Sequence, residues 1–77
     1  MDWRQRIAID PRILVGKPVI KGTRHSVEFI LELLATGWTH EQIVANYSGL
    51  ATEDIRACLA YAKEALEHER VFPIPGA

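Results

Sequence analysis

The sequence predicts a mainly α domain, a three-helix bundle preceded by a short N-terminal β-strand or hairpin arm. Three observations carry that prediction. Apolar residues recur at helical spacing in three separate stretches beyond residue 25. Between and after those stretches stand residues that start or stop helices: Gly37, the Thr39–Gln42 capping pattern, Ser48-Gly49, Thr52, and the prolines at 73 and 75. Before them lie two short β-patterned runs set among Pro and Gly.

In the first run, Arg6-Ile7-Ala8-Ile9-Asp10, Ile7 and Ile9 fall on one face of an extended chain, and Asp10-Pro11 stops it. The second, Pro18-Val19-Ile20-Lys21, is bracketed by Gly16 and Gly22. Pro18 has no N–H for a ladder, so neither strand is expected to be central in a sheet. Two such strands are marginal in water, which predicts that they lie on the helices or pair with a second copy of the chain.

Helix one is expected over about residues 27–36. Val27, Ile30, Leu31 and Leu34 mark its apolar face, widened by Phe29 and Leu33, and Gly37 supplies a left-handed cap. Helix two starts at Thr39, whose hydroxyl and the Gln42 side chain can satisfy each other's backbone N–H groups. It turns Ile43, Val44 and Tyr47 inward and ends at Ser48-Gly49, with Leu50 pinning the loop. Helix three opens at Thr52 as N-cap, with Glu53 and Asp54 placed where the helix dipole favours acids. Its expected buried stripe is Ile55, Cys58, Leu59, Ala62 and Leu66, and it should fray near Glu69-Arg70. The chain thus divides into an arm (1–24), a three-helix domain (25–70) and a Pro-rich tail (71–77).

With 77 residues there is room for one core, and a core of that size rarely yields more than about 3–5 kcal/mol, which makes self-association or a partner a reasonable expectation. Nine Lys and Arg stand against ten Asp and Glu, but they are unevenly placed. Residues 1–24 hold six cations and two acids, whereas residues 25–77 hold three cations and eight acids. A basic arm on an acidic body points to contact at the front with phosphate or a carboxylate-lined surface. Cations that merely keep edge strands soluble are the plainer alternative. The single Cys58 excludes an intrachain disulfide and a Cys-rich zinc site, and fits a reducing cytoplasm. No apolar run reaches the roughly 20 residues of a membrane span, and the N-terminus leads into no signal-peptide core, so a cytoplasmic location is expected.

Catalysis has little support, and no enzyme activity, metal, cofactor or small-molecule substrate is expected. His25, His40 and His68 are far apart, each near an expected helix end. Gly16-Lys17 is no phosphate loop, because Pro11 and Pro18 occupy the places that need Gly and Ser or Thr.

Binding is better supported. Three helices with a short turn between the second and third match a helix-turn-helix layout, in which the later helix enters the DNA major groove. On its outward face Arg56, Ala60 and Lys63 align, although Glu53 and Asp54 at its start would repel phosphate. A solvated helix face is the alternative there. In Lys21-Gly22-Thr23-Arg24, a flexible glycine, a hydroxyl and two cations precede helix one, a setting for phosphate or a partner carboxylate. The alternative is an Arg24–Glu28 pair at i, i+4. The tail residues Val71, Phe72 and Ile74 suit a groove on a partner protein, or equally a return over Trp3 or Trp38.

Asp10-Pro11, Gly16-Lys17-Pro18-Val19-Ile20-Lys21-Gly22-Thr23-Arg24, Leu33-Leu34 with Gly37, and Leu50 followed by Glu53-Asp54-Ile55-Arg56-Ala57 together carry a resemblance. From about Ile7 to Glu64 the chain resembles the family catalogued as domain of unknown function 433. That resemblance implies a homeodomain-like helix-turn-helix fold and an antitoxin of a bacterial toxin–antitoxin pair. The usual toxin is a PIN-like ribonuclease. Two departures stand out: His25-Ser26 replaces an aliphatic residue and proline, with Ser26 able to cap helix one, and Ala51 replaces Ser or Thr.

The functional expectation is therefore a homodimeric antitoxin that neutralises a PIN-like nuclease and binds operator DNA. Lys21, Thr23, Arg24, Arg56 and Lys63 are assigned to DNA, and Val71, Phe72 and Ile74 to the partner. The rivals are a stand-alone DNA-binding regulator and a dimerisation or protein-interaction module that never touches DNA.

Overall fold

The two β-patterned runs form strands β1 (Ile7–Ile9) and β2 (Pro18–Ile20). In the computed structural model, which describes residues 2–12 and 14–68, they pair antiparallel with Ile7 opposite Ile20 and Ile9 opposite Pro18. Pro18 thus begins its strand, where its missing N–H is tolerated. The Lys21 N–H extends the ladder to the Arg6 carbonyl at 2.8 Å. The strands satisfy each other and lie against the helices, turning Ile7, Val19 and Ile20 into the core. Ile9 does not follow Ile7 inward: it is 59% exposed at the far end of the hairpin. Ahead of β1, residues Trp3–Gln5 make one 3-10 turn, capped by the Asp2 carboxylate, which accepts the Arg4 N–H at 3.0 Å.

Three helices follow: α1 (Val27–Ala35), α2 (His40–Asn46) and α3 (Thr52–Glu67). Ser26 caps α1 by accepting the Phe29 N–H at 3.0 Å, and Gly37 takes the left-handed conformation, with φ +102°, that turns the chain out of it. Thr39 and Gln42 form the reciprocal capping box at 3.1 and 2.8 Å. The start of α3 differs from expectation. Thr52 is already helical, and the N-cap is Ala51, which has no side-chain acceptor. Asp54 provides half of a capping box instead, accepting the Ala51 N–H at 2.8 Å.

The core is built from Ile7 and Ile20 of the hairpin, Val27, Ile30 and Leu33 of α1, Ile43 of α2, Leu50, and Ile55, Ala57 and Cys58 of α3. On α1 it is Leu33 that is buried, while Leu31 and Leu34 are half-buried. A larger rotation occurs on α3. Leu59 and Leu66, expected inside, are 42% and 60% exposed, and the covered side runs through Asp54, Ala57 and Tyr61. The cause lies outside the helix: the N-terminal turn and β1 pack on that flank. Trp3 meets Tyr61 edge-to-face at 4.9 Å, and Arg6 reaches Asp54. Among the described residues, no helix is long and apolar enough to cross a membrane.

Candidate nucleic-acid interface

The turn from β2 into α1 is residues 21–24. Gly22 adopts φ +79°, a left-handed conformation open to glycine without strain, and this folds the chain back. Thr23 sends both its N–H and its hydroxyl to the Ile20 carbonyl, at 3.0 and 2.9 Å, and its Oγ1 accepts the His25 N–H at 3.1 Å. Its hydroxyl proton is therefore committed to the turn. Thr23 shapes the loop that carries the two cations beside it. Its methyl group lies 4.0 Å from where a Cβ on Gly49 would sit, so the turn abuts the connection between α2 and α3.

Lys21 and Arg24 are exposed, and neither meets a carboxylate among the described residues. Lys21 Nζ donates to the Arg4 carbonyl at 2.9 Å, which leaves two ammonium protons for other acceptors. The alternative Arg24–Glu28 pair does not form; Glu28 is paired with Lys17 at 3.2 Å instead. The other cations of the arm are also paired: Arg4 with Glu64 at 3.1 Å, Arg6 with Asp54 at 3.0 Å, and Arg12 with Asp10 at 3.0 Å. The Arg12 side chain and N–H hold the Asp10 carboxyl below its usual range. The basic excess of the arm thus narrows to Lys21 and Arg24.

The two cations assigned to α3 do not join this turn as a group. Arg56 is exposed and without a carboxylate partner among the described residues, but it lies two residues, roughly 200° of helix, from the covered Asp54. Lys63 lies about 10 Å further along α3 and is ion-paired with Glu67, whose hydrogen bond and charge raise the Lys63 pKa. Of the three histidines, His40 opens α2 and His68 caps α3, while His25 stacks on Phe29 and meets Tyr47 edge-on, at 5.9 and 5.4 Å. His25 belongs to an aromatic cluster. Val71, Phe72 and Ile74, assigned to a partner, lie outside the described residues.

Three residues escaped the sequence reading. Gln5, Arg6 and Asp54 join Lys21 around a depression of about 340 Å³. Asp54 is the only polar or charged residue among the described ones that is buried as a whole. No local pattern links it to Arg6, 48 positions away; a buried acid in a first helical turn reads as a dipole partner until the hairpin is folded onto it. A larger depression of about 620 Å³ separates the N-terminal turn from the second half of α3, but its charges pair off as Arg4–Glu64 and Lys63–Glu67.

With this geometry in place, comparison with known proteins gives the family. The family model for a protein of unknown function, DUF433, matches residues 7–62, from the first residue of β1 to near the end of α3. The chain belongs to the DUF433 family. A crystal structure of a DUF433 member protein from Anabaena variabilis ATCC 29413 matches with a TM-score of 0.75 and 31% identity. That match covers 80% of this chain and 61% of the other, so this chain spans less than two thirds of that relative's length. No curated protein matches. The DUF433 span includes Lys21, Arg24, Asp54 and Arg56, and leaves Arg6 and Lys63 just outside it.

Proposed function

We propose that this DUF433 chain is a DNA-binding antitoxin-type protein whose nucleic-acid contact is centred on the turn after β2. One observation carries the reading: Lys21 and Arg24 are exposed and free of carboxylate partners among the described residues, on a turn packed against the α2–α3 connection. In helix-turn-helix proteins the N-terminal residues of the later helix reach the base edges, so two cations beside the connection that leads into it stand near the duplex and contribute sequence-independent attraction to phosphate. Arg56, near the start of α3, adds a third charge on the outward face of the later helix. Thr23 acts by shaping the turn, and Lys63 is left out of the contact because Glu67 already balances it. The antitoxin half of the reading, with a PIN-like nuclease as partner and autoregulation through operator DNA, rests on the family resemblance.

Two experiments test the two halves. Affinity for duplex DNA is measured across a salt series, where phosphate contacts give a falling line of log affinity against log salt. Co-purification with the product of the adjacent gene tests the partner. Measurable DNA binding that falls with salt supports the first half, and recovery of a nuclease supports the second.

A second reading is favoured by a separate observation. Leu59 and Leu66 leave apolar surface exposed along α3, and a small domain with such a stripe is suited to self-association through that helix. On this reading the chain is a dimerisation module, and sedimentation shows a dimer that Leu59→Gln with Leu66→Gln dissociates.

A further inference from the structure

The depression lined by Gln5, Arg6, Lys21 and Asp54 gathers two cations that are both held in place. Arg6 Nη1 donates to Asp54 Oδ1 at 3.0 Å, and Asp54 Oδ2 accepts the Ala51 N–H at 2.8 Å, so both carboxylate oxygens are engaged. The Asp54 side chain is 10% exposed while that of Arg6 is 40% exposed. The acid therefore forms the floor, and the guanidinium faces the opening with N–H groups left over. Lys21 Nζ is tethered to the Arg4 carbonyl at 2.9 Å and keeps two protons. Two anchored cations over one engaged carboxylate leave a local excess of one positive charge. Anchoring removes much of the side-chain entropy that flexible Lys and Arg lose on binding, and a planar guanidinium beside an ammonium matches the oxygens of a phosphodiester.

We propose that this depression is a phosphate clamp, in which Arg6 and Lys21 together hold one backbone phosphodiester of duplex DNA. The inference rests on the DNA-binding reading above and deepens it by naming the contact. DNA is the favoured source of the phosphate because Lys21 is continuous with Arg24 on one exposed turn, so that a second phosphate along the strand meets the second cation.

Gln5 provides the test, since it lines the depression, is exposed, and makes no side-chain hydrogen bond among the described residues. Binding of a fluorescent duplex is measured by anisotropy from 50 to 200 mM salt for the wild-type chain, Gln5→Glu, Gln5→Lys, Lys21→Gln and Arg24→Gln. Thermal unfolding of each variant confirms that it is folded. The clamp predicts that Gln5→Glu weakens and Gln5→Lys strengthens binding several-fold at low salt. It also predicts that Lys21→Gln makes the salt line shallower by about 0.9, equivalent to about a 3.5-fold smaller loss of affinity across the series. If Lys21→Gln and Arg24→Gln weaken binding while both Gln5 variants match wild type, the clamp is wrong and the DNA reading survives. If the wild-type chain shows no salt-dependent binding, the DNA reading fails and the clamp falls with it.

Discussion

Arg6 and Asp54, 48 positions apart, meet at 3.0 Å, and the same carboxylate also receives the Ala51 N–H at 2.8 Å. One acid thus caps α3 and fastens the hairpin to it. The Ala51 cap has no side-chain oxygen, so the start of α3 depends on Asp54 inside the helix and on Arg6, which stands just before β1.

Asp54→Ala is expected to destabilise the domain by about 2–3 kcal/mol, because it removes a helix cap and a charged hydrogen bond together. Arg6→Ala should cost less, since Asp54 keeps its backbone partner. Urea unfolding of the two single variants and the double variant measures the coupling. A loss below about 0.5 kcal/mol for Asp54→Ala would contradict this account of the α3 start.

Acid should loosen the N-terminal turn through Glu64. The Trp3 indole N–H, and next the Arg4 guanidinium, lower the Glu64 pKa from its ordinary 4.5. A carboxyl whose pKa is lowered on folding adds stability that is present above its unfolded pKa and is lost as pH falls through the folded value. Trp3 emission, followed in a Trp38→Phe background, is therefore expected to stay constant above the ordinary carboxylate value of 4.5 and to change only as pH falls below it. Glu64→Gln should abolish that acid transition.

Cys58 should behave as a core residue. It is 0% exposed, and burial, then the charge of Asp54, pushes its thiol up to about 12. At pH 8 the native protein is expected to react with a thiol reagent at a rate set by unfolding, and denatured protein at the ordinary thiol rate. Fast native labelling would show that this part of the core is open.

Leu59 and Ile55 belong to the same helix but should respond to substitution by very different amounts. Ile55 is 0% exposed, so Ile55→Ala is expected to cost about 2–5 kcal/mol. Leu59→Gln, at a position 42% exposed, should cost less than about 1 kcal/mol. Thermal or urea unfolding at concentrations where the chain is monomeric separates the two.

The elements of the fold were legible because their signals are local. Thr39 and Gln42 sit three residues apart, Ser26 stands directly before Val27, and Gly37 directly follows the Thr36 cap. What the sequence concealed depends on how the elements come together. Leu59 and Leu66 share helical spacing with Ile55, yet Trp3 and β1 pack on the neighbouring flank and rotate α3 so that Ala57 and Tyr61 are covered instead. The charged site followed the same division. Lys21 and Arg24 were apparent from adjacency on a glycine turn, whereas Arg6 became visible only when the hairpin brought it onto Asp54. The Lys63–Glu67 pair has the i, i+4 spacing that makes such a contact legible in the sequence, on the same outward face that carries Arg56.

The central claim, that Lys21 and Arg24 meet phosphate, is tested most directly by the salt dependence of duplex DNA binding for the wild-type chain and the Lys21→Gln/Arg24→Gln double variant. The expected result is affinity that falls with salt for wild type, with a slope smaller by about 2 in the double variant and unchanged thermal stability. Equal slopes for the two proteins, or no wild-type binding at 50 mM salt, would contradict it.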